Sequence, residues 1–178
     1  MRTDEFWALM DAARAGADGT AAAVAQRVVA ELSRRDATEI VGFDRHLDRV
    51  LTASHREDLW GAAYLINGGC SDDGFDHFRG WLITQGRTVF ARAVAEPDSL
   101  AELPVVRRAA ETGAEFEAGE MLSVAEKAYH RVTGEDLPAA ADPAPLPQVG
   151  DFWDFDDEEE ARRRLPRLAG LFLEPPGE

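Results

Sequence analysis

Apolar residues recur along this chain at spacings of three and four, the repeat of an amphipathic helix, and no alternating run is long enough to demand a strand. Phe6, Trp7, Leu9, Met10 and Ala13 mark one helical face, and an Ala- and Val-rich helix is predicted from Ala21 to Leu32. Asp36 followed by Glu39 reads as a capping box, in which each side chain satisfies free N–H groups at a helix start. The helix it opens places Ile40, Phe43, Leu47, Val50 and Leu51 on one face, with Asp44, Arg45, Asp48 and Arg49 on a solvated side. Leu59 to Ile66 is apolar nearly all round and predicts a short buried helix, where Gly61, Ala62 and Ala63 let a neighbouring helix approach closely. Asn67-Gly68-Gly69 ends it, because Gly and Asn tolerate the left-handed backbone that closes a helix. Ser71 is placed to cap the next helix, predicted to run to about Ala95 with Phe75, Phe78, Leu82 and Val89 inward. The pair makes a tight helical hairpin.

Pro97 interrupts the pattern. Ser99 with Glu102 suggests another capping box over a short turn, Pro104 a fresh start for Val105 to Glu111, and Met121 to Val132 a further helix closed by Gly134. From Glu135 to Gly150, Pro138, Pro143, Pro145 and Pro147 favour extended polyproline geometry, a surface strap or linker. Phe152, Trp153 and Phe155 are costly to leave in water and are expected to dock on the body. The last helix, from about Asp157 to Phe172, is too short to hold a core of its own. The pattern therefore predicts an all-α, single-domain irregular helical bundle. Residues 1–134 form its main body, 135–150 a Pro/Ala-rich strap, and 151–178 an aromatic anchor and a C-terminal helix docked back on the core. A length of 178 residues supports one such core and leaves little for a second.

With 45% hydrophobic and 30% charged residues, the chain has the balance of a folded soluble domain and not of a disordered one. Acids outnumber bases 34 to 19, for a formal charge of −15. A field of that sign repels phosphate backbones and anionic lipid, so it argues against nucleic-acid and membrane partners and favours a basic protein or a cationic ligand. Charge of this size also serves solubility alone. Cys70 is the only cysteine, which excludes an intrachain disulfide and fits a reducing cytoplasm. The opening MRTDEFWALMDAARAG sets acids within its apolar stripe, unlike a secretory signal. The uncharged stretch from Leu59 to Ser71 falls short of the roughly 20 residues a membrane-crossing helix needs.

Candidate chemistry concentrates at the hairpin. Positions four apart stack on a helix, so Asp72 faces Asp76 and Asp73 faces His77, away from the apolar stripe. Carboxylates with an imidazole suit a cation, which makes these four the metal candidates. The same acids complement the positive end of the helix dipole, and that role alone accounts for their placement. They also oppose phosphate binding there. Cys70 lies at the helix start, where the dipole favours a thiolate but Asp72 and Asp73 disfavour it, so a buried inert thiol competes with a nucleophile. Trp60 and Trp81, with Asn67 and Ser71 of the turn, complete the candidate binding residues, although core packing explains the aromatics equally. His46 and His55 point to opposite sides of one helix at about 100° per residue and cannot share a metal. His130, near Glu126, reads as a surface residue. The acidic run from Asp151 to Glu160 precedes Arg162, Arg163 and Arg164, and the pairs Glu158–Arg162, Glu159–Arg163 and Glu160–Arg164 describe a self-consistent solvated helix. No HExxH, Walker loop, GxGxxG or GxSxG is present, and no cofactor is implied.

The segment LWGAAYLINGGCSDDGFDHFRGWLITQG resembles the signature of a bacterial family catalogued as domain of unknown function 4240. DEFWALMDAAR, AEPDSLAELP, MLSVAEKAYHRVTG and WDFDDEEEARRRLPRLAGLF support the resemblance, while Glu117 to Glu120 follow it less well. The resemblance implies a small cytoplasmic helical domain and carries no catalytic residues. The leading expectation is a non-catalytic interaction or regulatory module with an acidic face near the NGGCSDD turn. The alternative is an enzyme of unknown class with a carboxylate/His site, metal-assisted or not, at the same turn. The sequence leaves the oligomeric state open.

Overall fold

The computed structural model describes residues 1–139 and 152–175, and the regular structure there is helical throughout. In chain order the helices are α1 (Thr3–Ala15), α2 (Ala21–Leu32), α3 (Ala37–Ser54), α4 (Glu57–Asn67), α5 (Asp72–Thr84) and α6 (Arg87–Ala95). A 3-10 turn (Pro97–Glu102) leads to α7 (Pro104–Thr112), and a second (Gly119–Ser123) leads to α8 (Val124–Thr133). The arm that follows carries α9 (Glu158–Arg164) and α10 (Pro166–Phe172). None of the helices among the described residues is long and apolar enough to cross a membrane. The strap expected at 135–150 lies mostly outside the described residues.

The helix starts follow from side-chain chemistry. Asp36 accepts from the Glu39 N–H at 2.9 Å while the Glu39 carboxylate accepts from the Asp36 N–H at 3.3 Å, closing the capping box over α3. Thr20 caps α2 and Ser71 caps α5 by accepting from the Ala23 and Gly74 N–H groups, with no bond returned. Gly68, at φ 65°, closes α4 in the left-handed conformation. Phe6 of α1, Phe43 of α3 and Phe78 and Leu82 of α5 are fully buried in one contiguous core. Leu165 and Leu168 of the arm belong to that same core, so the arm is integral to the domain.

Several expectations are corrected. The helix foreseen from Ser71 to Ala95 breaks at Gly86, whose φ of 91° only glycine adopts readily, and α6 then buries Phe90 and Ala93 while Val89 is half-exposed. The C-terminal helix breaks at Leu165, because the ring of Pro166 excludes helical backbone before it and starts α10 instead. Ser99 is buried in the first 3-10 turn and caps nothing, α7 starting on Pro104 without a side-chain cap. The first turn foreseen for the Met121 helix is 3-10, with α8 beginning at Val124. Arg163 pairs with Glu160 at 2.6 Å rather than with Glu159. Asp44 is half-buried instead of solvated, and burial, reinforced by Asp48 and Glu126, pushes its carboxyl up to about 6.

The space at Gly61 admits an indole, not a helix. A Cβ there would lie 2.3 Å from Cζ2 of Trp153, which is only 8% exposed. Phe155 is half-buried beside it, whereas Phe152 remains 47% exposed. Asp98, 6% exposed, anchors the other end of the arm: its carboxylate accepts from the Arg167 and Leu168 N–H groups and from Arg167 Nε, at 2.9 to 3.1 Å. Arg164 reaches Asp58 at 3.1 Å and the Tyr64 hydroxyl donates to Asp156 at 2.5 Å.

Candidate functional site

The end of α4 and the start of α5 meet at residues 68–71, and most of the candidate side chains maintain that junction. The Trp60 indole N–H donates to the Cys70 carbonyl at 2.9 Å, and its ring stacks on Phe75 at 4.7 Å and 13°. Asn67 uses both ends of its amide on Phe116: Nδ2 donates to the carbonyl at 3.2 Å and Oδ1 accepts from the N–H at 3.0 Å. Ser71 accepts from the Gly74 N–H at 3.2 Å. Trp81 is buried and stacked on Phe116 at 4.2 Å, in an aromatic group separate from that of Trp60.

The acids divide. Asp72 and Asp73 are exposed in the first turn of α5 and, among the described residues, form no ion pair. Asp76 is bonded to Arg79. His77 faces Glu117, with Nδ1 3.9 Å from the carboxylate, and its ring fills the space against Gly119, where a Cβ would come within 2.9 Å of Nε2. Its backbone carbonyl accepts from the Ala118 N–H at 2.9 Å, tying α5 to the segment before α8. Among the described residues, no group of three or more His, Cys, Asp or Glu side chains is gathered closely enough to hold a metal ion.

Cys70 is half-buried and donates weakly to the Ser71 carbonyl at 3.7 Å. Burial, reinforced by Glu117, pushes its thiol up to about 11, so the thiolate is scarce at neutral pH. Burial and Glu117, rather than the adjacent Asp72 and Asp73 weighed in the sequence, oppose the thiolate.

Two residues beside the junction lie outside the sequence-based candidates. Arg79 is only 4% exposed, donates to the Leu51 carbonyl at 2.6 Å, and lies 4.7 Å from the Phe75 ring centroid. It falls within the apolar register of α5, four after Phe75 and three before Leu82, and a charge at such a register must find buried partners. His55 closes α3 and meets Trp60 and Phe75 edge-on at 5.9 and 5.8 Å. Burial, with Arg79 adding, lowers its pKa, and its Nδ1 and the Arg79 Nε are both buried without a partner among the described residues. His46 is likewise buried, against Phe6 at 4.8 Å, with its pKa lowered by burial and its Nδ1 without a partner among the described residues.

The junction thus presents Asp72, Asp73 and Glu117 outward, with Phe152 edge-on to Trp60 at 5.2 Å and Asp156 held on Tyr64. Surface grooves lie elsewhere, among them one between α2 and α8, one along α8, and one lined by α1 with Glu31, Arg35 and Glu39.

The sequence profile described as "Protein of unknown function (DUF4240)" matches residues 1–131. The chain belongs to the DUF4240 family. The match covers the whole α4–α5 junction and runs into α8, while the arm at 152–175 lies beyond it. No curated protein and no solved structure matches the chain. The DUF4240 description assigns no activity, so any reading of function rests on the junction itself.

Proposed function

We propose that this DUF4240 protein is a non-catalytic interaction module, which receives a basic segment of a partner protein on the acidic and aromatic surface of the α4–α5 junction. The observation that carries the reading is the division of labour among its polar groups. Trp60, Asn67, Ser71 and Asp76 hold the junction together, and the Cys70 thiol is deactivated. Asp72 and Asp73 stay exposed and unengaged among the described residues. A hydrolytic or acid–base alternative needs Asp76, His77 or Cys70 available, and their engagement weighs against it.

Exposed ion pairs contribute only about 0.2–1 kcal/mol each, so acids alone make a weak contact. Phe152 adds an exposed apolar surface beside them, and the −15 charge accelerates the approach of a basic partner. The same charge disfavours nucleic acid and anionic lipid, and the single cysteine suits the cytoplasm. Capture from host lysate with the parent chain and with the D72K/D73K variant tests this. Basic proteins retained by the parent and lost by the variant are expected, whereas an unchanged set of captured proteins refutes the surface.

A further inference from the structure

Lys127 is the only lysine in the chain, and Arg131 stands one helical turn after it on α8. Both side chains line the groove between α2 and α8, a cleft of about 450 Å³. That volume falls within the roughly 300–1,000 Å³ typical of small-molecule sites. The floor is apolar and firmly built: Ala25, Val29 and Val124 are each less than a tenth exposed and belong to the core. Gln26 and Glu120 also line the cleft, so two cations stand against one carboxylate in a chain whose overall charge is strongly negative. Among the described residues neither Lys127 nor Arg131 forms an ion pair.

We propose that this cleft binds a small aliphatic carboxylate, its hydrocarbon chain against Ala25, Val29 and Val124 and its head group between Lys127 and Arg131. An apolar floor bordered by local positive charge favours a ligand with both features over either alone. The planar fork of an arginine matches a carboxylate through two parallel hydrogen bonds. A lining with one net positive charge is balanced by a monoanion, and a phosphate dianion would leave negative charge facing Glu120. The neighbouring groove along α8 shares Lys127 and Arg131 but adds two carboxylates, Glu126 and Asp136, against one imidazole, His130, so the head group is assigned to the α2 side. Nothing in this assignment depends on the acidic junction surface.

The test uses the full chain, with amide shifts followed by NMR as sodium octanoate, 1-octanol or octylamine is added. Octanoate is expected to shift amides of α2 and α8 and to bind about tenfold or more tightly than octanol, the value of a charged hydrogen bond. The K127Q/R131Q variant, altered at two exposed positions, is expected to lose that preference. Ala22→Trp, at an exposed residue lining the same cleft, is expected to block it while leaving the helical circular dichroism unchanged. Equal binding of octanol and octanoate, shifts confined to other helices, or undiminished octanoate binding by both variants each overturns the proposal.

Discussion

Gly61→Ala sets two effects of opposite sign against each other. Alanine is favoured over glycine inside a helix by about 1 kcal/mol, so local propensity predicts a more stable α4. The added methyl, however, would stand 2.3 Å from Cζ2 of Trp153, and either the indole or the helix must move. A buried tryptophan removes about 150–250 Å² from water, worth about 4–6 kcal/mol at roughly 25 cal/mol per Å² as an upper bound. Against this, the Trp153 N–H is buried without a partner among the described residues, which costs about 1–3 kcal/mol and is recovered on exposure. Release also returns about 1 kcal/mol of side-chain freedom. Subtracting these and the propensity gain leaves a net loss of about 1 kcal/mol at the middle of the ranges. Urea unfolding of both chains measures that loss, and cleavage near residues 152–156 by a protease reports whether the indole has left its slot. A variant more stable than its parent, with the arm equally protected, would show that the slot is not closely filled and would refute the packing argument.

Arg79→Met removes the donor to the Leu51 carbonyl and the partner of Asp76, and should cost about 2–4 kcal/mol in urea unfolding; a loss below about 1 kcal/mol would mean the guanidinium does not anchor α5 to the end of α3. Asp98→Ala strips the start of α10 of its acceptor and should cost about 2–4 kcal/mol, with faster amide exchange at 167–172 than at any residue of α5. Unchanged exchange there would contradict the anchor. The Asp44 carboxyl sits at about 6 when folded against 3.8 for an unburied aspartate, so the folded chain binds this proton more tightly. Its contribution is therefore fully present below about pH 4 and is lost as pH rises through about 6. Asp44→Asn should gain stability relative to the parent as pH rises from about 4 to about 6 and hold that gain above it, and a difference independent of pH across that rise would exclude Asp44 as the group responsible.

The local half of this fold is readable in the chain. Asp36 with Glu39, Ser71, and the glycines at 68 and 134 each act on backbone within a few residues, and each appears where its own chemistry demands. Pro166 was equally local, but the acid–base pairs spanning 158–164 suggested a helix running straight through it. Gly86 is harder, since an isolated glycine inside an apolar repeat is often tolerated and only the turn of α6 toward the core reveals its use. What escaped altogether is non-local. The amide of Asn67 reading Phe116, the carboxylate of Asp98 receiving α10, and Trp153 lodged over Gly61 join residues separated by 49, 70 and about 90 positions, and no short pattern encodes them. The junction was therefore locatable from sequence, while the duties of its residues were not. Asn67 and Trp60 read in the sequence as ligand contacts, and in the fold each also ties the junction together through its own hydrogen bonds.

The arm separates two ideas of a boundary. The family match ends at residue 131, within α8, yet a carboxylate and a glycine slot inside the matched stretch are completed only by residues beyond it. A fragment cut where the family match stops would place Asp98 in contact with water on one side and leave a bare furrow along α4, both on a surface never selected to be seen. Such a fragment should express poorly or self-associate through that furrow, because the cooperative unit of this protein is longer than its inherited signature.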